Sequence, residues 1–385
     1  LDVIDIFGKL YPNATTTSFE ADTLLSQPIR LDSIVSPTRQ KLSKSDSIYF
    51  SFYMQPAGSN GQPWETIGSL PSYSDSIILD FFSPENGWEK VWATGGIPLD
   101  SLFAQEKAYY KYVMIPITED KYFTKEFRFR FRNIASLNNN PQLAYIGNCD
   151  QWNIDYVYLD KNRSTTDTVI RELAFVDPAP SMLKRYQAMP ANQYTEQEIA
   201  DSLQIKIINL YSEALSSVYK YFIKDEQENI LHTYDGGFEN ISPYITTLSY
   251  QDALSHCRPI VDYNFPINED NWRTFSIIHT IKEGVGQDVL ASNDTISFIQ
   301  KFENYFAYDD GSAENGIGVE PIAGSHLAVA FDLNKSDTLT AVDIYFNSAL
   351  NEANLKQFYL CVWTSLNGIP YQMIHKTERL TPISD

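Results

Sequence analysis

Seven residues constrain this chain more than any others: Glu126–Arg132, spelling Glu-Phe-Arg-Phe-Arg-Phe-Arg. Side chains alternate faces along a strand, so Phe127, Phe129 and Phe131 fall on one side and Arg128, Arg130 and Arg132 on the other. The spelling suits a sheet that is buried on one face and wet on the other. The same alternation recurs at Ile48–Met54, Leu327–Leu333 and Val342–Phe346. It predicts one-sided antiparallel sheets and an all-β chain.

The 385 residues exceed one ordinary core, and length alone predicts two or three domains. Turn clusters at 56–63, 83–87, 94–96 and 138–141 punctuate strand-sized segments over 1–165, which reads as a jelly-roll β-sandwich. The polar run Lys161–Asp167 is read as a linker. A second unit, 166–303, reads as an immunoglobulin-like β-sandwich with one short helix. The helix is expected at Thr195-Glu-Gln-Glu198, which has capping-box spacing ahead of Ile199 and Leu203. Strands are expected at 204–211, 217–224, 272–282 and 295–302. The remainder, 304–385, shows four strand patterns, at 326–333, 341–347, 358–365 and 371–378. Four strands cannot close a sandwich, so this unit reads as partial. Either the polypeptide continues beyond Asp385 or a partner covers the bare edge.

Charge narrows the partners. With 29 basic and 49 acidic side chains the formal net charge is −20, which repels phosphate backbones, and nucleic acid is not an expected partner. No apolar run reaches the roughly 18–20 residues of a membrane span. The start at Leu1 lacks a basic, then apolar, leader and reads as a processed or trimmed end. Cys149, Cys257 and Cys361 are too sparse for a disulfide framework or a metal cluster and read as buried thiols.

Catalytic signatures are missing. There is no Gly-x-Ser-x-Gly, and His232, His256, His279, His326 and His375 form no zinc-binding pair. Gly284-Val-Gly286 and Gly316-Ile-Gly318 read as turns, and no carboxylate pair is singled out for glycoside hydrolysis. The expectation is a non-enzymatic protein. The acidic loop Asp309, Asp310, Glu314 has two readings: a turn between domains, which is the plainer one, or an oxygen-rich calcium site. Trp64, Trp88 and Trp92 also have two readings. They either close the sandwich core or form a sugar platform. The arginines at 128, 130 and 132 either pair with carboxylates across strands, the plainer account, or meet an acidic glycan or a protein.

Several phrases together carry a resemblance: Ser18-Phe-Glu-Ala-Asp-Thr-Leu-Leu, Asp46-Ser-Ile-Tyr-Phe-Ser-Phe-Tyr-Met-Gln-Pro-Ala-Gly, Phe127–Asn133, Trp152-Asn-Ile-Asp-Tyr-Val-Tyr-Leu, and the later Tyr308-Asp-Asp-Gly and Ala341-Val-Asp-Ile-Tyr-Phe-Asn. They resemble the jelly-roll modules, related to MAM and lectin-like sandwiches, of exported Bacteroidota surface proteins associated with type IX secretion. The resemblance implies a protein at the cell surface, on the outer membrane or in the periplasm, with an envelope or surface protein, or a glycan, as partner. It implies adhesion or scaffolding, or a carbohydrate-binding accessory role beside a secreted hydrolase. It also implies a calcium position where first and last strands meet, which here falls at Glu20 and Asp155. Asp-[Ser/Thr]-apolar occurs after Asp22, Asp32, Asp46, Asp75, Asp100, Asp167, Asp201, Asp294 and Asp337, where chance gives roughly one or two. The resemblance reads these as O-glycosylation acceptors: Thr23, Ser33, Ser47, Ser76, Ser101, Thr168, Ser202, Thr295 and Thr338. The alternative is a turn Asp followed by a strand-opening hydroxyl residue.

Overall fold

The computed structural model describes residues 1–3, 5, 11–56, 75–136, 151–244, 254–268, 272–286, 290–311, 325–346 and 356–382. The chain is all-β and forms two compact units. Unit 1 comprises Leu1–Asp167, Gly316–His326 and Asp343–Asp385, and unit 2 comprises Thr168–Asn315 and Leu327–Val342.

Among its described residues unit 1 contains strands β1 (Phe19–Leu25), β2 (Tyr49–Pro56), β3 (Ser76–Ser83), β4 (Gly87–Gly95), β5 (Lys111–Pro116), β6 (Arg128–Ala135) and β7 (Trp152–Asp160), with one α-helix, α1 (Leu99–Glu106). They form two antiparallel sheets of order β1-β6-β3-β4 and β5-β2-β7. Each connection except the β3–β4 hairpin passes from one sheet to the other, so the sheets must stack. Their inner faces are aromatic. Phe50 and Phe52 of β2 meet Phe81, Phe129, Phe131 and Trp92 of the other sheet at ring separations of 4.7–5.4 Å for the closest pairs, mostly edge to face. Phe50, Phe52, Phe127 and Phe131 are all 0% exposed. Burial of each ring contributes about 1.5–3 kcal/mol, and the edge-to-face geometry suits the ring quadrupoles. The alternation in the sequence thus becomes a sandwich core.

The run at 161–167 does more than link. Arg163, 6% exposed, folds back over the second sheet. Its guanidinium donates to Asp167 at 2.7 Å, to Ser51 Oγ at 2.8 Å and to the Tyr112 hydroxyl at 2.8 Å, and it lies 4.5 Å over the Tyr158 ring. A buried guanidinium needs this number of acceptors to offset lost hydration.

Unit 2 contains β8 (Leu173–Phe175), β9 (Ala188–Pro190), β10 (Ile207–Asn209), β11 (Leu215–Lys224), β12 (Ile230–Ile241), β13 (Arg273–Glu283) and β14 (Thr295–Glu303). A five-stranded sheet of order β9-β14-β13-β11-β12 is antiparallel except where β9 joins β14. Along β11 burial alternates strictly, and Tyr219, Tyr221 and Ile223 are fully inside. The covering layer is the β8–β10 pair plus extended chain that contributes Met182, Ile199, Leu203, Ile205 and Phe265 to the core.

Two local expectations change. Thr195–Glu198 is a single 3-10 turn, Glu196–Glu198, with no side-chain cap bond from Thr195. The Glu198 carboxylate is drawn away by Arg185 at 3.2 Å and by Asn334 at 3.0 Å, so the capping box never closes. Among the described residues of this unit a one-turn helix lies instead at Leu254–Cys257. The long strand β12 was not expected. Its Asp235-Gly-Gly237 reads as a turn, yet it forms a bulge within the ladder, with Gly237 at φ +68.

Toward the C-terminus, 327–333 and 341–346 keep their alternating apolar spelling but form no strand. A strand requires a neighbour to complete its hydrogen bonds, and none is present among the described residues. The last two patterns do pair, as hairpin β15 (Cys361–Leu366) and β16 (Ile369–Lys376). Among the described residues no helix is long and apolar enough to cross a membrane.

Candidate binding face

The arginine stripe lies on the outer face of the β1-β6-β3-β4 sheet. Asp80 stands opposite Arg130 in the β3–β6 register. Its Oδ2 accepts from Arg130 Nε and from Arg132 Nε, both at 2.7 Å, and its Oδ1 accepts from Arg132 Nη2 at 3.3 Å. Asp80 is 2% exposed although it points outward, because two guanidinium groups cover it. Burial alone would raise its carboxyl pKa, but the hydrogen bonds from Arg132 and Arg130 outweigh that and hold it below the usual carboxylate range. Arg132 also approaches Glu20 at 3.6 Å. Carboxylate pairing therefore accounts for Arg130 and Arg132.

Aromatic rings complete the face. The Arg130 guanidinium lies 4.5 Å over Trp88, Trp88 sits 5.2 Å from Phe82, and Arg128 lies 5.5 Å over Phe82. The two tryptophans of β4 thus have different roles. Trp92 packs edge-on against Phe52 at 5.2 Å and closes the core, whereas Trp88 belongs to the outer face. Trp64 lies outside the described residues. Nothing in the sequence singled out Asp80 or Phe82.

The calcium candidates are placed as follows. Glu20 is on β1 of one sheet and Asp155 on β7 of the other, where Asp155 accepts from the Tyr156 amide at 2.7 Å. Asp309 accepts from the Gly311 amide at 3.2 Å, and Gly311 has φ +98, which makes this loop an Asx-type turn. Asp310 follows in that turn, and Glu314 lies outside the described residues. Among the described residues no group of three or more His, Cys, Asp and Glu side chains is arranged to hold a metal ion. Cys257 is buried, Cys361 is half-buried, and both are free thiols.

Of the hydroxyl residues following Asp, Thr23, Ser47, Thr168, Ser202, Thr295 and Thr338 are exposed, Ser76 and Ser101 are half-buried, and Ser33 is 5% exposed. Asp32-Ser33, Asp75-Ser76 and Asp294-Thr295 do open strands. Of the others, Thr23 is inside β1, Ser101 is in α1, Ser47 lies two residues ahead of β2, Ser202 forms an isolated bridge with Ile260, and Thr168 and Thr338 lie in irregular chain.

Unit 2 gathers histidines that are far apart in sequence. His279 of β13 faces Tyr221 in register and is 0% exposed. Its Nδ1 shares a 2.7 Å hydrogen bond with the Tyr219 hydroxyl, while its Nε2 is buried without a hydrogen-bond partner. Burial pushes its pKa down to about 4. His256, also 0% exposed, donates from Nε2 to the Ser217 carbonyl at 3.2 Å, and His232 lies 2.9 Å from Asp262. These rings pack with Tyr219 and Tyr221 at 5.6–6.1 Å.

No family model matches this chain, and no curated protein matches it. Among solved structures it is similar to a β-glucuronidase of Bacteroides uniformis, at 11% identity and TM-score 0.21, over 73% of this chain and 26% of that one. A β-glucuronidase from Ruminococcus gnavus in complex with D-glucuronic acid gives 8% identity and TM-score 0.22, over 75% and 37%. The same enzyme in complex with uronic deoxynojirimycin gives 8% and 0.23, over 79% and 39%. The chain thus spans well under half the length of these proteins, and superpositions this loose carry no argument about its activity.

Proposed function

We propose that this chain is a non-enzymatic binding and scaffold part of an exported β-sandwich protein, working at the cell surface or envelope and engaging a protein partner through its C-terminal strands. One observation carries the reading. Ile369, Tyr371 and Ile374 on β16 are 67%, 67% and 63% exposed, and Leu327, Val329 and Leu333 upstream are 62%, 59% and 53% exposed. So many apolar side chains in water are rarely kept by a protein that acts alone. β15 and β16 pair only with each other among the described residues, so each offers an open edge suited to strand addition. Export and association with type IX secretion rest on the resemblance in sequence and on the excess of Asp-[Ser/Thr]-apolar tripeptides, most of them with an exposed hydroxyl.

The test is affinity capture from a detergent-solubilised envelope fraction, using the whole chain and an I369D/Y371D variant. A defined envelope protein retained by the parent and lost in the variant supports the reading. Equal retention by both, or turnover of a polysaccharide or peptide by the chain, contradicts it. A second reading, a carbohydrate-binding accessory region of a larger secreted hydrolase, is favoured by the guanidinium-on-ring layers at Trp88 and Phe82.

A further inference from the structure

The outer face of the β1-β6-β3-β4 sheet has one arginine with no carboxylate. Arg130 and Arg132 are occupied by Asp80, but among the described residues Arg128 makes no ion pair, and its Nε is buried without a hydrogen-bond partner. We propose that Arg128, with Phe82 and Trp88, forms a binding site for a carboxylate-bearing sugar of a glycan; this rests on the carbohydrate-binding reading above and names its ligand class.

Three physical points lead to that class. The first is the fork. The Arg128 guanidinium sits over the Phe82 ring with its central carbon 5.5 Å from the centroid, a contact that restricts its rotamer. Little entropy is lost when a planar carboxylate accepts from the two terminal nitrogens in a bidentate pair; the buried Nε lies out of a ligand's reach and takes no part. The second is the backbone. β6 is paired on both sides, with β1 and with β3, so its amides are spent. A peptide cannot add there as a strand, and recognition rests on side chains alone. Phe82 and Trp88, 5.2 Å apart and inclined at 56°, each carry a guanidinium over the ring and add apolar surface beside the Arg128 fork. The third is charge density. A net charge of −20 opposes long runs of negative charge, so the contact must rest on one carboxylate held by the Arg128 fork, with the repulsion beyond it screened at about 0.15 M salt.

The experiment is affinity electrophoresis of the whole chain through gels containing polygalacturonate, neutral dextran or polyglutamate. The expected result is retardation by polygalacturonate only, reduced at least tenfold in Arg128→Gln. Arg128→Lys should also lose most of it, since a lysine keeps the charge but not the fork. Unchanged thermal unfolding of both variants excludes misfolding as the cause. As Arg128 is only half-buried, both variants should fold; if either does not, protection of Arg128 from phenylglyoxal by polygalacturonate, read by mass spectrometry, decides instead. Retardation by dextran that survives Arg128→Gln overturns the inference while leaving the carbohydrate-binding reading intact. Retardation by polyglutamate as strong as by polygalacturonate overturns it in favour of plain anion binding. No retardation by any polysaccharide overturns both.

Discussion

Asp80→Asn is expected to destabilise unit 1 by about 3–5 kcal/mol, measured as a fall in the urea midpoint at unchanged slope. The magnitude follows from what remains after the substitution. Arg130 and Arg132 have side chains only 26% and 18% exposed, and both give their shortest hydrogen bonds to one carboxylate that is itself 3% exposed. Asparagine removes the charge but little of the volume, so two guanidinium groups stay close together, partly desolvated and without an anion. Glu20→Gln serves as the control on the same face. That side chain is 51% exposed and meets Arg132 at 3.6 Å, so its loss should cost no more than about 1 kcal/mol. A similar small loss in Asp80→Asn would mean that the arginine stripe is held by its packing on Trp88 and Phe82 rather than by the carboxylate. The dependence on pH has a definite sign. The folded pKa of Asp80 lies below its unfolded value, so its contribution is complete above about pH 3.9 and is lost only as pH falls through the folded value.

Unit 2 should respond to acid much earlier. His279 titrates near 6.5 when unfolded and at about 4 when buried, with no counter-charge resolved to help it. A lowered folded pKa means that the unfolded chain binds the proton first. The stability contributed by the neutral ring is therefore complete above pH 6.5 and is lost progressively down to pH 4. The loss amounts to about 3 kcal/mol below that point. His256, also buried and also lowered by burial, adds to the same trend, partly opposed by Glu239 at 3.4 Å. Hydrogen exchange on β11 and β13 should therefore quicken between pH 6.5 and 4, while β3 and β6 of unit 1 stay protected. His279→Leu should flatten that pH response, at a cost near pH 7 of about 1–3 kcal/mol for the Tyr219 hydroxyl left unpaired. If β11 and β13 keep their protection down to pH 4, a group not accounted for here must stabilise the imidazolium.

The strands that were legible in sequence are those whose two faces meet different surroundings. Phe127–Arg132 and Ile48–Met54 alternate because one side enters the aromatic core and the other does not, and both are strands in the structure. β12 was hidden because Asp235-Gly-Gly237 has the chemistry of a turn, and only the register of its partner β11 turns that residue set into a bulge. Thr195–Glu198 misled in the opposite direction, since its capping glutamate is claimed by Arg185 from elsewhere in the unit. At 327–333 the alternation predicts a strand and none forms, because alternation is a propensity and a strand also needs a neighbour.

The site was legible only in part. Alternation placed three arginines on one face, and the sequence left open whether they were paired. Which of them is satisfied depends on Asp80, brought opposite Arg130 by the β3–β6 register, and on ring positions set by the β3–β4 hairpin. The histidines were invisible as a group because β12, β13 and the Leu254–Cys257 helix meet only in the folded unit.

Completion of the C-terminal strands by a partner protein, as proposed, can be read by hydrogen–deuterium exchange over 361–376, in the chain alone and bound to its captured envelope partner. Exchange should be rapid along the open edges of β15 and β16 in the free chain and strongly slowed there on binding. Slow exchange at those edges in the free chain, or no change on binding, would contradict it.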